Sequence, residues 1–229
     1  MNAGTREDAP ARKSEIAYER IKALLISGGI RPGRHLATGE VAEWLGISAT
    51  PTRDAMVRLA CEGLLEYDPS HGFFTKEYRI EENRQIIAML DVNLVYGLRT
   101  AGARMPDGLL VGLAGLKGTA TTSREGIEGV ATRIRDMYLE VALAAGNDVL
   151  RETCRVLVDR SHLIRVLDIQ MGEAGQQTID DLLEMSAAMA EGDIEGTVAV
   201  AQAILSRRIE RLPLLVREAN FIASEATFP

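Results

Sequence analysis

Between Gly46 and Phe74 the chain changes period, and that change constrains its fold more than any other feature. "GISATPTRDAMVRLACEGLLEY" sets Met56, Leu59, Ala60 and the pair Leu64-Leu65 at helical spacing. Thr50 is a good N-cap for that helix, and Pro51 suits its first turn, where a missing N–H is no loss. After Tyr67 the pattern becomes strand-like, with "DPSHG" as a turn and "FFTKEY" as the returning strand. A helix running straight into a hairpin is not stable alone. It needs neighbours on its apolar stripe.

Those neighbours lie upstream. "SEIAYERIKALLISG" spaces Ile16, Ile21, Leu24 and Leu25 near 3.6 residues, with Ser14 as its cap and Gly28-Gly29 as its end. "RPGRHL" turns at Pro32-Gly33, and "TGEVAEWLG" predicts a short helix capped by Thr38 and stopped by Gly46. Three helices and a two-stranded wing over residues 14–78 make a winged helix-turn-helix, with "GISAT" as its tight connection. Residues 1–13 are polar, lack the apolar core of a secretory signal, and read as a flexible tail.

From residue 79 to 229 the pattern is nearly all helical, and short loops between amphipathic segments predict an antiparallel bundle. "NDVLRETCRVLVDRSHLIRVLDIQ" reads as one helix capped by Asn147, and Pro213 predicts a kink or break in the last. The fold class is therefore mainly α. The 229 residues are 46% hydrophobic and 26% charged, the balance of a globular protein. No apolar run approaches the roughly 20 residues of a membrane helix, so a cytoplasmic protein without a membrane partner is expected.

The net charge of −7 argues against wholesale coating of nucleic acid but not against one local face. Residues 1–78 hold 10 Lys and Arg against 11 Asp and Glu, whereas the remainder holds 16 against 22. An anionic partner fits the first part better. Cys61 and Cys154 share no metal-type spacing. Nucleophile elbow, phosphate loop, HExxH and cysteine–histidine arrangements are all missing from the sequence, so no enzyme is expected.

The pieces "I..G.I.PG..L" and "VAEWLGIS.TP.R.A...L..EGLLE", with the glycine of the wing, resemble the DNA-binding domain of the GntR family of bacterial transcription regulators. The helical remainder resembles that family's FadR-like FCD ligand domain through "RDMYLEVALAAGNDVLRE" and "MAEGDIEGTVAVAQAIL". The resemblance implies a homodimer on double-stranded, pseudo-palindromic operator DNA, more often a repressor than an activator.

By motif position, Ser48, Thr50, Thr52 and Arg53 are the candidate contacts of a recognition helix in the major groove. Hydroxyls and free N–H groups at a helix start suit phosphate oxygens, and Arg53 can read a guanine edge or clamp a phosphate. His71 and Gly72 form the wing tip expected at the minor groove, and Arg34 and Lys76 are candidate neutralisers of the backbone. Ala49 and Gly39 stand where well-known relatives carry base-reading arginines. That departure implies a different operator or a weaker grip.

Related FCD domains hold a metal ion with an Asp and three His. Here the matching positions fall at Asp136, Glu140, near Leu182 and near Ile204, and the bundle's one histidine is His162. Two aliphatic side chains cannot ligate, so no cofactor is expected, and at most a weak carboxylate site at Asp136 and Glu140 remains. An effector, either an organic acid or an acyl-coenzyme A-like molecule, would then be held by groups among Asn93, Tyr96, Arg133, Asp136, Tyr138, Glu140, Arg160, His162 and Arg165. An organic acid requires an arginine inside the bundle. Two other readings stand beside this one: a DNA-binding dimer with a degenerate ligand site, and an enzyme using the winged helix as an interaction module.

Overall fold

The computed structural model describes residues 8–102, 104–119 and 122–226. It divides into two compact units, and the first ends at Tyr78 and takes back the chain from Ala219 on. The described residues 219–226 thus group with the first unit, whereas the sequence places them with the bundle.

The first unit contains α1 (Asp8–Ile26), β1 (His35–Leu36), α2 (Thr38–Leu45), α3 (Ala49–Cys61), β2 (Leu65–Asp68) and β3 (Gly72–Thr75). Helix α1 begins well before Ser14, so part of the expected tail is helical, while residues 1–7 of that tail lie outside the described residues. Pro10 falls in its first turn, where it costs no hydrogen bond, and Ala11, Arg12 and Lys13 favour helix. Ala17, Tyr18 and Ile21 of α1 close a core with Ala55, Met56 and Leu59 of α3 and Phe73 of β3. The Tyr18 hydroxyl donates to Glu62 at 2.7 Å, and the Arg58 guanidinium stacks 3.6 Å from the Tyr18 ring centre.

The wing has three strands where two were expected, in the order β1-β3-β2 with both pairings antiparallel. His35 and Leu36 pair with Phe74 and Phe73, and a two-residue strand is too short to show a period in sequence. The turn before it is tied to the sheet: Gly33 N donates to the Thr75 carbonyl at 2.9 Å, and Arg34 N to Thr75 Oγ1 at 2.9 Å.

The second unit contains α4 (Ile80–Ala101), α5 (Asp107–Ala114), α6 (Arg124–Ala144), α7 (Asp148–Arg160), α8 (His162–Gln170), α9 (Glu173–Glu191) and most of α10 (Ile194–Ser224). Its core runs through Ile86, Leu90 and Leu94 of α4, Ile134 and Met137 of α6, and Leu182 of α9. Helices α4 and α6 approach closely at Gly97, where an added Cβ would fall 2.8 Å from Val141 Cγ1. Asn147 caps α7 as expected, accepting from Leu150 N at 2.9 Å. The single helix expected beyond it is two, parted at Ser161. Helix α10 is not broken at Pro213, which is exposed, so water can meet the carbonyl that the ring leaves without a donor.

Candidate nucleic-acid interface and effector cavity

Helix α3 starts earlier than the sequence suggests. Ser48 is its N-cap residue and Thr50 lies inside its first turn, with no side-chain capping bond from Ser48. Ser48, Ala49 and Thr50 are exposed, and their backbone donors open a helix whose N-terminus favours an anion. Arg53, one turn on, is exposed, with its guanidinium carbon 5.9 Å from the Phe73 ring centre. Thr52 is 0% exposed and its hydroxyl donates to the Ser48 carbonyl at 3.0 Å. Thr52 therefore holds the start of the helix and cannot be the DNA contact expected of it. Arg58 is engaged by Glu15 at 2.9 Å and Glu62 at 3.2 Å.

At the wing tip the Asp68 carboxylate accepts from Ser70 N at 2.7 Å and His71 N at 3.0 Å, leaving the His71 side chain exposed. These bonds, the one from Ser70 N first, hold the Asp68 carboxyl below its usual range. Gly72 has φ +93°, and a Cβ there would meet His35 Nε2 at 3.3 Å. The glycine is thus required by backbone conformation and by the neighbouring strand, apart from any clearance it gives a partner. Arg34 is ion-paired with Glu40, and Lys76 is half-buried.

In the second unit a small cavity of about 20 Å³ lies among Leu94, Ile134, Met137, Tyr138, Leu182, Met185, Ala201, Ile204, Leu205 and Arg208. Arg208 is 5% exposed. Its Nε donates to Asp168 Oδ2 at 2.9 Å, while Arg211 Nε takes Oδ1 of the same carboxylate at 2.7 Å. Burial opposes ionisation of Asp168, but the two guanidinium groups, Arg208 foremost, outweigh it and hold the carboxyl below its usual range. Arg208 Nη2 is buried without a hydrogen-bond partner among the described residues.

Beside this cavity lies a polar cluster. Arg165, 1% exposed, donates to the carbonyls of Ala131 at 3.2 Å and Val158 at 3.1 Å and to Ser161 Oγ at 3.3 Å. Burial, then the nearby charge of Arg208, lower its pKa to about 10. His162 Nδ1 lies 3.3 Å from Arg165 Nη2 and Nε2 lies 3.4 Å from Glu128, and burial followed by Arg165 lowers its pKa to about 4.

The "bacterial regulatory proteins, gntR family" model matches residues 13–75, and the FCD domain model matches residues 116–207. Residues 13–75 are thus a gntR-family domain. Over 57 residues it is 39% identical to the HTH-type transcriptional regulator McbR of Escherichia coli (strain K12), and over 56 residues 34% identical to the uncharacterized HTH-type transcriptional regulator YdhC of Bacillus subtilis (strain 168). These stretches are 25% and 24% of this chain and 26% and 25% of those relatives. The solved structure of E. coli McbR/YncC matches with a TM-score of 0.72 at 21% identity, over 88% of this chain and 97% of that one. A GntR transcriptional regulator from Rhodococcus sp. RHA1 matches with a TM-score of 0.71 at 18% identity, over 89% and 98%. The two structures share the fold of this chain.

The metal set that the FCD resemblance implies does not fit the side chains of this chain. Leu182 and Ile204 line the cavity, and neither can ligate. Asp136 and Glu140 do not line it; Asp136 is half-buried and meets Arg135 at 3.3 Å. Among the described residues no three of His, Cys, Asp and Glu come together as a metal set. The other expected effector groups are scattered. Asn93 Nδ2 is buried without a partner among the described residues, and the Arg133 guanidinium lies against Gly112 of α5. Arg160 pairs with Glu82, and Tyr96 is exposed on a surface groove of about 350 Å³. Of the polar side chains named from the sequence, only Tyr138 reaches the cavity, and burial pushes its pKa up to about 12. Sequence reasoning missed Arg208, Asp168 and Arg211. The run "SRRIERL" was the available signal, an arginine-rich stretch inside an apolar helix.

Proposed function

We propose that this protein is a DNA-binding transcription regulator, not an enzyme, acting in the cytoplasm as a homodimer on a pseudo-palindromic operator. The observation that carries the reading is the exposed first turn of α3, Ser48 to Thr50, with Arg53 exposed on the next turn. Such a turn presents backbone donors and hydroxyls to phosphates and one guanidinium to a base edge. Ser48, Thr50, Arg53 and the wing tip at His71 supply the contacts, with Arg34 and Lys76 near the backbone. A small molecule in the FCD bundle, an organic acid or an acyl-coenzyme A-like one, changes operator affinity without a metal ion. Repression is the expected sign.

The test is a mobility shift on the DNA upstream of its own gene at several salt concentrations, with and without candidate metabolites. Sequence-preferring binding that weakens steeply with salt is expected, and Arg53→Ala should weaken it about tenfold or more. No sequence preference at any salt would sink the reading. The small size of the cavity favours one second reading, a regulator that no longer senses an effector. Operator binding indifferent to a broad metabolite panel is its signature.

A further inference from the structure

We propose that the FCD bundle binds an aliphatic monocarboxylate directly, its carboxylate on Arg208 and its chain among the cavity side chains, with no metal ion between them. The inference deepens the effector reading above and rests on it.

Arg208 is nearly fully buried, and the carboxylate it pairs with is shared. Asp168 gives one oxygen to Arg208 and the other to Arg211, which leaves Nη2 of Arg208 with no acceptor among the described residues. A buried guanidinium N–H without an acceptor pays its full desolvation cost. The residue lines the cavity, so an acceptor placed there would relieve it. The neighbouring charge of Arg165 favours an anionic acceptor over a neutral one.

The walls define the rest of the molecule. Leu94, Ile134, Leu182, Ile204 and Leu205 offer aliphatic surface and no second charged donor. A phosphate or a dicarboxylate would bury further charge without partners, which is strongly unfavourable. A monocarboxylate needs one charged anchor only. The cavity of about 20 Å³ holds little more than a water, so the chain must displace side chains. Met137 and Met185 border it, and unbranched thioethers can change rotamer at small cost. Leu182 and Ile204, near which the FCD resemblance places metal ligands, become part of the wall.

The full chain is titrated with acetate, butyrate, hexanoate and octanoate by calorimetry and thermal unfolding, in low chloride, with hexanamide and adipate as controls. A longer monocarboxylate should raise the melting temperature by several degrees and resist addition of EDTA, and hexanamide and adipate should do neither. Ala201→Leu fills the cavity and leaves the Arg208–Asp168 pair in place; Arg208→Lys keeps the charge but loses the second donor. Each should weaken binding at least tenfold, and Ala201→Leu decides the matter if Arg208→Lys does not fold. Equal shifts with hexanoate and hexanamide, the same shift from chloride alone, loss of binding in EDTA, or unchanged affinity in Ala201→Leu would each overturn the proposal. So would no binding by any of the four acids. Binding of hexanoate without a change in operator affinity would support this site and overturn only the effector reading.

Discussion

His162 is the residue whose surroundings make the plainest demand on pH. Its imidazole stays neutral in the folded chain down to about pH 4, against an ordinary value of 6.5. Between those values the unfolded chain binds the extra proton, so stability falls as pH drops from 6.5 to 4 and levels off below that. The burial of the ring and the adjacent Arg165 make this worth roughly 3 kcal/mol. Urea unfolding at pH 7 and pH 4.5 should show a larger loss for the wild-type chain than for His162→Asn, whose side chain takes no proton. Equal losses would show that other groups govern the acid limb. On the same scale Thr52 and Arg53 are neighbours in sequence with opposite destinations, one buried beneath the helix start and the other in solvent.

At the scale of elements, the wing depends on the contact between β1 and β3. Gly72 opens β3 in the left-handed region, directly beside the ring of His35. Gly72→Ala should destabilise the chain by about 1–2 kcal/mol, because an L-residue is strained at that φ and its Cβ crowds the imidazole. Removing the ring in His35→Ala/Gly72→Ala should recover only part of that loss, since the strain at φ remains. Thermal unfolding of the two variants checks this, and full recovery would mean that crowding alone mattered. The third strand was not legible in the sequence. Two residues carry no period, and His35 and Leu36 become a strand only because Phe73 and Phe74 lie alongside them.

For the molecule as a whole, the proposed homodimer makes a prediction of mass and of symmetry. Helix α4 leaves Met89, Val92 and Tyr96 exposed at 47%, 59% and 51%, spaced to share one face. An apolar stripe of that kind is a candidate surface for a second copy. Sedimentation at micromolar concentration should give twice the chain mass of 24.9 kDa, and Val92→Glu should shift it towards the monomer. The dimer should also need both half-sites of its operator, so scrambling one half should weaken binding sharply.

The helices and the wing's hairpin were legible in the sequence because they are set by local rules. Apolar spacing, the cap at Asn147 and the turn around Gly72 act over a few residues and leave a readable mark. The family resemblance followed from the same local segments. Where the chain brings distant residues together, sequence alone did not reach. Asp168 and Arg208 are 40 residues apart, and nothing local says that they meet. Nor could periodicity tell that Thr52 turns inward, or that Asp136 and Glu140 stand away from the cavity that Leu182 and Ile204 line. That α3 is a helix could be read from its own segment. The cavity, and the Arg208 Nη2 that has no acceptor among the described residues, were decided by four helices packing at once, since burial and pairing belong to the packed bundle and to no single segment.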